Sequence, residues 1–175
     1  ETINIGSRLT ETARNRPHAI GIAEPIKGTD RNDARRYRTV TFAELDRDSS
    51  NLAARMRELG VVQGTRLVLM VMPGIDFIAL TFAILKAGAV AILIDPGMGR
   101  KNLLSCLEDV QPEGFVALPI VHAIRSIFRA RFSRSWFHVT VGRRWFWGGC
   151  TLDQLRKQDA APEFLAETRS KDPAA

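Results

Sequence analysis

Three sets of residues in this 175-residue chain have types and spacing that bear on chemistry. The first is Asp95-Pro96-Gly97-Met98-Gly99-Arg100-Lys101, at the point where an apolar strand-like run gives way to a helical pattern. Open α/β sheets bind ligands at such strand ends, and backbone N–H groups at a helix start can hold a phosphate, here aided by Arg100 and Lys101. Gly97, Gly99, Arg100 and Lys101 are therefore the candidate cofactor-binding residues. The spacing is only Gly-x-Gly, however, and Asn102 stands where a dinucleotide fingerprint has its third glycine, so a structural turn is the plainer reading.

The second set is the stretch from Arg125 to Trp147. It interleaves Arg125, Arg129, Arg131, Arg134, Arg143 and Arg144 with Phe128, Phe132, Trp136, Phe137, Trp145, Phe146 and Trp147. Cations beside aromatic rings suit single-stranded nucleic acid, a membrane surface or a docking partner. The competing reading makes the aromatics core and lets the arginines snorkel around them. The third set is His18, His122 and His138, which lack ligand spacing and default to structural roles. Asp46 and Asp48 fall on different faces of a helix and form no acid–base pair. Cys106 and Cys150 match no metal or redox spacing. No Walker loop, Gly-x-Ser-x-Gly elbow or His-Glu-x-x-His pair occurs, so no catalytic residue and no metal ligand is assigned.

The elements that must carry these groups follow from periodicity. Ile3 to Asn15 suits a short helix closed by Pro17, and Ala19 to Ala23 a strand. Glu24 to Arg38 is charged and polar, a loop or hairpin excursion. Tyr37 to Thr41 is a second strand, and Thr41 with Glu44 makes a capping box for a helix whose buried face carries Phe42, Leu45, Leu52, Ala53, Met56 and Leu59. Gly60 stands where a left-handed cap is wanted. Arg66 to Met72 is nearly all apolar, the mark of a strand covered on both faces. A helix over Ile75 to Ala87 ended by Gly88, a strand over Ala89 to Ile94, a helix with Leu103, Leu104, Leu107 and Val110 inward, and a strand over Phe115 to Leu118 complete the repeat. Strands joined through helices require parallel pairing. The fold class is α/β, an open and mainly parallel sheet with helices on both faces. Beyond Pro119, Ile120 to Arg131 reads as a basic amphipathic helix, Phe137 to Val141 as a strand and Thr151 to Gln158 as a short helix.

Composition bounds the rest. Hydrophobic residues at 45% and charged residues at 25% describe a soluble folded chain and exclude disordered and collagen-like classes. The net charge of +6 equals the six arginines of a stretch, Gly114 to Thr151, that contains no Asp or Glu. That admits anionic ligands or surfaces. Glu1 to Arg16 has no apolar core of a secretory signal, and Pro73, Gly74, Asp76 and Lys86 interrupt the apolar tract from Leu67 to Ile94, so a cytoplasmic protein without membrane spans is expected.

Val40-Thr41-Phe42-Ala43-Glu44-Leu45 and Leu85-Lys86-Ala87-Gly88-Ala89-Val90-Ala91-Ile92-Leu93-Ile94-Asp95-Pro96 resemble the first two core motifs of the adenylate-forming enzymes. That superfamily includes acyl-CoA synthetases, luciferases and peptide-synthetase adenylation domains. The resemblance covers roughly residues 3 to 118, including Arg16-Pro17-His18-Ala19 and Glu58-Leu59-Gly60-Val61-Val62-Gln63-Gly64-Thr65-Arg66. The runs from Ile94 to Leu104 and from Thr140 to Gly149 are similar to the fatty-acid-CoA-ligase-like branch that makes β-lactones in bacterial olefin biosynthesis.

The resemblance implies an enzyme that uses ATP and Mg²⁺ to turn a carboxylate into an acyl adenylate with release of pyrophosphate. In the β-lactone branch, the hydroxyl of a long-chain β-hydroxy acid then attacks the activated carbonyl and expels AMP. A plain fatty acid ligated to CoA is the alternative, and a stand-alone module binding anions or partners is the reading from another class. The branch also implies company, namely a thiolase-like condensing enzyme, a reductase and a hydrolase. Peripheral membrane contact is the most that is expected of lipid surfaces, and nucleic acid is not expected as a partner. The family's Thr/Ser/Gly-rich phosphate loop is absent from the 175 residues and would be expected just past Ala175, so the chain is expected to be an N-terminal portion, inactive alone. Residues 1–118 would form the N-terminal α/β subdomain, 119–158 its basic aromatic continuation and 159–175 a linker. Thr41, Glu44, Leu45, Lys86, Gly88 and Asp95 match motifs whose expected work is packing, so no catalytic role is carried to them.

Overall fold

The computed structural model describes residues 5–26, 36–94 and 100–157, with the backbone alone for 100–104. Helix α1 (Ile5–Asn15) buries Leu9 and Ala13 and stops before Pro17. Strands β1 (Ile20–Pro25) and β2 (Tyr37–Thr41) pair antiparallel, Pro25 facing Tyr37, so the polar excursion is the connection of a hairpin. Residues 27–35 of that excursion lie outside the described residues. Thr41 caps α2 (Phe42–Glu58) through the expected reciprocal bonds with Glu44, and Leu45, Leu52, Ala53 and Met56 are buried beneath it. Leu59, expected on the same face, is instead exposed as the C-cap, because Gly60 at φ 100° turns the chain away.

Strands β3 (Arg66–Met70), β4 (Val90–Leu93), β5 (Gly114–Ala117), β6 (Phe137–Thr140) and β7 (Cys150–Thr151) form one parallel sheet in the order β4-β3-β5-β6-β7. The chain runs from β3 to β4 in one direction and from β4 back past β3 to β5 in the other. This reversal puts α3 (Ile75–Lys86) on one face and α4 (Arg100–Val110) on the opposite one. The inner face packs Leu67, Leu69, Val116 and Val139 against α1, α2, α3 and α6 (Leu152–Lys157). The outer face packs Val68 and Phe115 against Leu107 of α4. Alternate residues of β3 thus feed two cores, which is why its sequence is continuously apolar.

The region after β5 departs from expectation in two ways. Helix α5 spans Pro119–Ile127 and does not continue to Arg131. Its end has a packing cause, since Phe132 must fold back to meet Phe115 edge-on at 5.4 Å between ring centroids. The two-residue β7 had no signal of its own and exists because Cys150 and Thr151 align with Val139 and Thr140. Helix α6 spans Leu152–Lys157 as far as the described residues run, and Thr151 is its cap: Thr151 N–H donates to Gln154 Oε1 and Gln154 N–H to Thr151 Oγ1. That Thr-x-x-Gln box is a signal present in the sequence. Leu103 and Leu104 carry no described side chains, whereas Leu107 is buried and Val110 half-buried. No helix among the described residues is long and apolar enough to cross a membrane.

Candidate functional site

Strand order locates the ligand-binding crest of a parallel sheet. Connections leave in opposite directions at the C-terminal ends of β3 and β5, so the crevice expected of such sheets opens between Met72-Pro73-Gly74 and Leu118-Pro119-Ile120. The candidates read from the sequence, Gly97, Gly99, Arg100 and Lys101, follow β4, the neighbour of β3 in the sheet. Asp95, Gly97 and Gly99 lie outside the described residues. Arg100 and Lys101 open α4, and only their backbone is described.

The helix start at the crevice is occupied by the protein itself. Glu24 of β1 reaches Gly74 and accepts from Ile75 N–H at 3.4 Å, placing a carboxylate on the first turn of α3. The positive end of that helix is thereby neutralised from within, and a phosphate there would meet a like charge. No group of three or more His, Cys, Asp or Glu among the described residues could hold a metal ion. The described residues therefore do not fit ATP with Mg²⁺, and no phosphate chemistry is derived from them.

The matched core-motif residues form the frame behind this crest. Lys86 is fully buried, and its ammonium donates to Asp46 Oδ1 at 2.6 Å, Ser50 Oγ at 2.8 Å and the Asp46 carbonyl at 3.0 Å. Three N–H donors thus find three acceptors, the condition under which a buried charge is tolerated. Thr10 of α1 donates to the same Asp46 oxygen at 2.8 Å, so one carboxylate ties α1, α2 and α3 together. Leu45 is buried beside it, and Gly88 at φ 78° turns the chain from α3 into β4. Two residues on from Asp46, Asp48 faces elsewhere, as expected: Arg156 of α6 binds Asp48 Oδ2 at 2.7 Å and Asp76 Oδ1 at 2.8 Å. Burial opposes the charge on Arg156, but the bonds and charges of Asp48 and then Asp76 outweigh it and hold the guanidinium above its ordinary range.

On the outer face the tertiary structure joins two histidines that sequence spacing keeps apart. His122 in the first turn of α5 and His138 of β6 lie edge to face, 6.2 Å between ring centroids. His122 Nε2–H donates to the Val139 carbonyl at 3.0 Å, which leaves Nδ1 buried without a partner. Trp147 stacks on His122 at 5.7 Å and donates to Thr140 Oγ1 at 2.9 Å. Burial, opposed by the Val139 bond and reinforced by Arg125, lowers the His122 pKa to about 4. Burial, then Arg125 and His122, lower that of His138 to about 4 as well. Both imidazoles are neutral at pH 7, and each is too weak a base to work there as a proton acceptor. Burial also pushes the Cys150 thiol up, making it a poor nucleophile. The aromatics divide: Phe132, Phe137 and Trp147 are buried, as the core reading has it, while Trp136, Trp145 and Phe146 are exposed.

Known proteins share this frame. The chain is 41% identical over 174 residues to the olefin beta-lactone synthetase of Stenotrophomonas maltophilia, matching 98% of this chain and 31% of the relative. It is 40% identical over the same shares to the olefin beta-lactone synthetase of Xanthomonas campestris pv. campestris. The chain thus spans about a third of the length of these relatives. The solved structure of the anthranilate CoA ligase AuaEII in complex with anthranoyl-AMP superposes with a TM-score of 0.82 at 16% identity, over 98% of this chain and 31% of that one. The last likeness confirms the fold, an α/β layer with a parallel sheet. With the family model for AMP-binding enzymes matching residues 9–174, the frame that Thr41, Glu44 and Lys86 hold together is that of the AMP-binding enzyme family, to which this chain belongs.

Proposed function

We propose that this chain supplies the N-terminal α/β layer of an ATP-dependent ligase that activates a long-chain β-hydroxy acid as its acyl adenylate and closes it to a β-lactone. The observation that carries this reading is 41% identity sustained over 98% of the chain with a protein named olefin beta-lactone synthetase. In this reading Thr41, Glu44, Leu45, Lys86 and Gly88 serve packing. They hold the crest at β3 and β5 rigid, while the groups that meet ATP, Mg²⁺ and the reacting carboxylate come from sequence outside these residues. Division of labour of this kind suits adenylation, whose catalysis rests on positioning and on charges placed around phosphates and a developing oxyanion.

The test is carboxylate-dependent exchange of pyrophosphate into ATP. The 175 residues alone are expected to give none, and the polypeptide encoded by the native gene through any sequence past Ala175 is expected to exchange with β-hydroxy acids and to release AMP with the lactone. Exchange by the 175 residues overturns the packing assignment. A longer enzyme that turns over plain fatty acids with CoA and leaves β-hydroxy acids unclosed moves the reading to fatty acid–CoA ligation.

A further inference from the structure

Helix α5 is built against the usual rule for a helix lying on a sheet. Its inner side buries His122 and packs Val121 against the outer core, as expected. Its opposite side carries Ile120, 59% exposed, Ile124, partly exposed, and Ile127, 76% exposed, at i, i+4 and i+7 where a solvated helix presents polar groups. Beside its first turn, Gly142 abuts Pro119 and opens the loop to Cys150. In that loop Trp145 and Phe146 are 57% and 77% exposed. Neither hangs loose. Each packs on Trp147, at 5.5 Å and 5.2 Å, and Trp147 is itself stacked on His122. The exposed rings and the isoleucine stripe therefore share one rigid support.

The stretch that carries this apolar strip holds basic residues and no acidic ones. Arg129, Arg143 and Arg144 are exposed, and from Gly114 to Thr151 there is no carboxylate. Of the acidic residues shortly before it, Glu108 pairs with Arg131 and Glu113 with Arg66. Among the described residues no ion pair involves Arg129, Arg143 or Arg144.

We propose that the outer side of α5 and the tip of the 142–149 loop dock on an anionic lipid bilayer, Trp145 and Phe146 entering the headgroup region and Arg129, Arg143 and Arg144 meeting lipid phosphates. An apolar helix face with aromatic residues at one end and a basic rim is the composition of interfacial attachment. A nucleic acid would use the rings but has nothing to place on three isoleucines, and an acidic polypeptide would use the arginines alone. A bilayer answers both features at once.

The experiment is co-sedimentation of the intact protein with vesicles of phosphatidylcholine, with or without about 30 mol % phosphatidylglycerol, at low and high salt. Binding is expected only with the anionic lipid and is weakened by salt. Tryptophan emission is expected to shift to shorter wavelength, and the shift to shrink in W145F. The pair R143Q/R144Q is expected to lower the partition coefficient about thirtyfold. The pair W145S/F146S is expected to lower it at least tenfold, and R8Q, on α1 across the sheet, to leave it unchanged. Unaltered thermal transitions show that the variants fold, as exposed positions should. Equal binding by W145S/F146S and the parent overturns the proposal in favour of charge alone, as does equal retention on polyglutamate. Absence of vesicle binding overturns it too, and self-association abolished by the same variants then assigns the face to a second copy. The proposal stands apart from the reading of the reaction: vesicle binding by an enzyme that makes no lactone supports it, and an active synthetase indifferent to vesicles overturns it.

Discussion

The two faces of the sheet handle charge in opposite ways. On the inner face every described ionic group that crosses between helices has a counterpart: Lys86 meets Asp46 and Ser50, and Arg156 meets Asp48 and Asp76. On the outer face His122 Nδ1 and Arg125 Nε are buried without hydrogen-bond partners, and an arginine-rich surface has no carboxylate within its own stretch. The contacts of Lys86 and Arg156 fix how the inner helices sit. On the outer face Arg129, Arg143 and Arg144 are exposed and in no ion pair among the described residues. Closed networks resist change because an uncompensated buried charge is expensive, whereas surface arginines change little when removed.

Breaking the comparison starts at Lys86. Lys86→Ala leaves Asp46 without its cation and empties a buried volume, and should cost about 3–5 kcal/mol in urea unfolding. A loss below about 1 kcal/mol would mean that the inner network is no more stabilising than a surface pair.

The outer face should instead show itself through pH. Unfolded His122 binds a proton below about 6.5, whereas the folded imidazole resists protonation until about 4, so the unfolded state holds more protons within that window. Stability is therefore fully present above pH 6.5 and falls as the pH drops towards 4, by a few kcal/mol for His122 alone. Denaturant midpoints at pH 7 and pH 4.5 measure this, and His122→Phe should flatten the dependence. A pH-independent midpoint in the parent would place the imidazoles in water.

Smaller effects sharpen the contrast. Arg156→Ala removes the bonds from α6 to α2 and α3 and should cost about 2 kcal/mol, with amide exchange rising first in α6. Thr41→Ala removes the cap of α2 and should cost about 1 kcal/mol by thermal unfolding. R143Q/R144Q on the outer face should change stability by less than about 0.5 kcal/mol, and a larger loss would show that those arginines hold the fold.

Legibility followed the range of the forces involved. Helix α2 was readable because Thr41, Glu44 and the apolar positions act within a few residues of one another. Helix α5 was misjudged at its end because Phe128 and Phe132 answer to Phe115 and not to their own neighbours. Strand β7 was invisible because two residues carry no periodicity. The histidines seemed unrelated since the 16 positions from His122 to His138 are closed up by β5–β6 pairing, which no spacing rule contains. Of the candidate cofactor residues, the structure describes only the backbone of Arg100 and Lys101.

By itself the sequence determined the α/β class, the parallel sheet through β5, the capping of α2 and membership of a family whose motifs it carries in order. Those features rest on local periodicity, caps and motif spacing, which are properties of contiguous residues. Only the tertiary structure decided that Lys86 closes on Asp46, that Glu24 covers the start of α3, that His122 meets His138 and that Ile120, Ile124 and Ile127 face outward with Trp145 and Phe146. Each of those depends on strand order and on which side of the sheet a helix falls, and both are settled by packing between segments far apart in the chain.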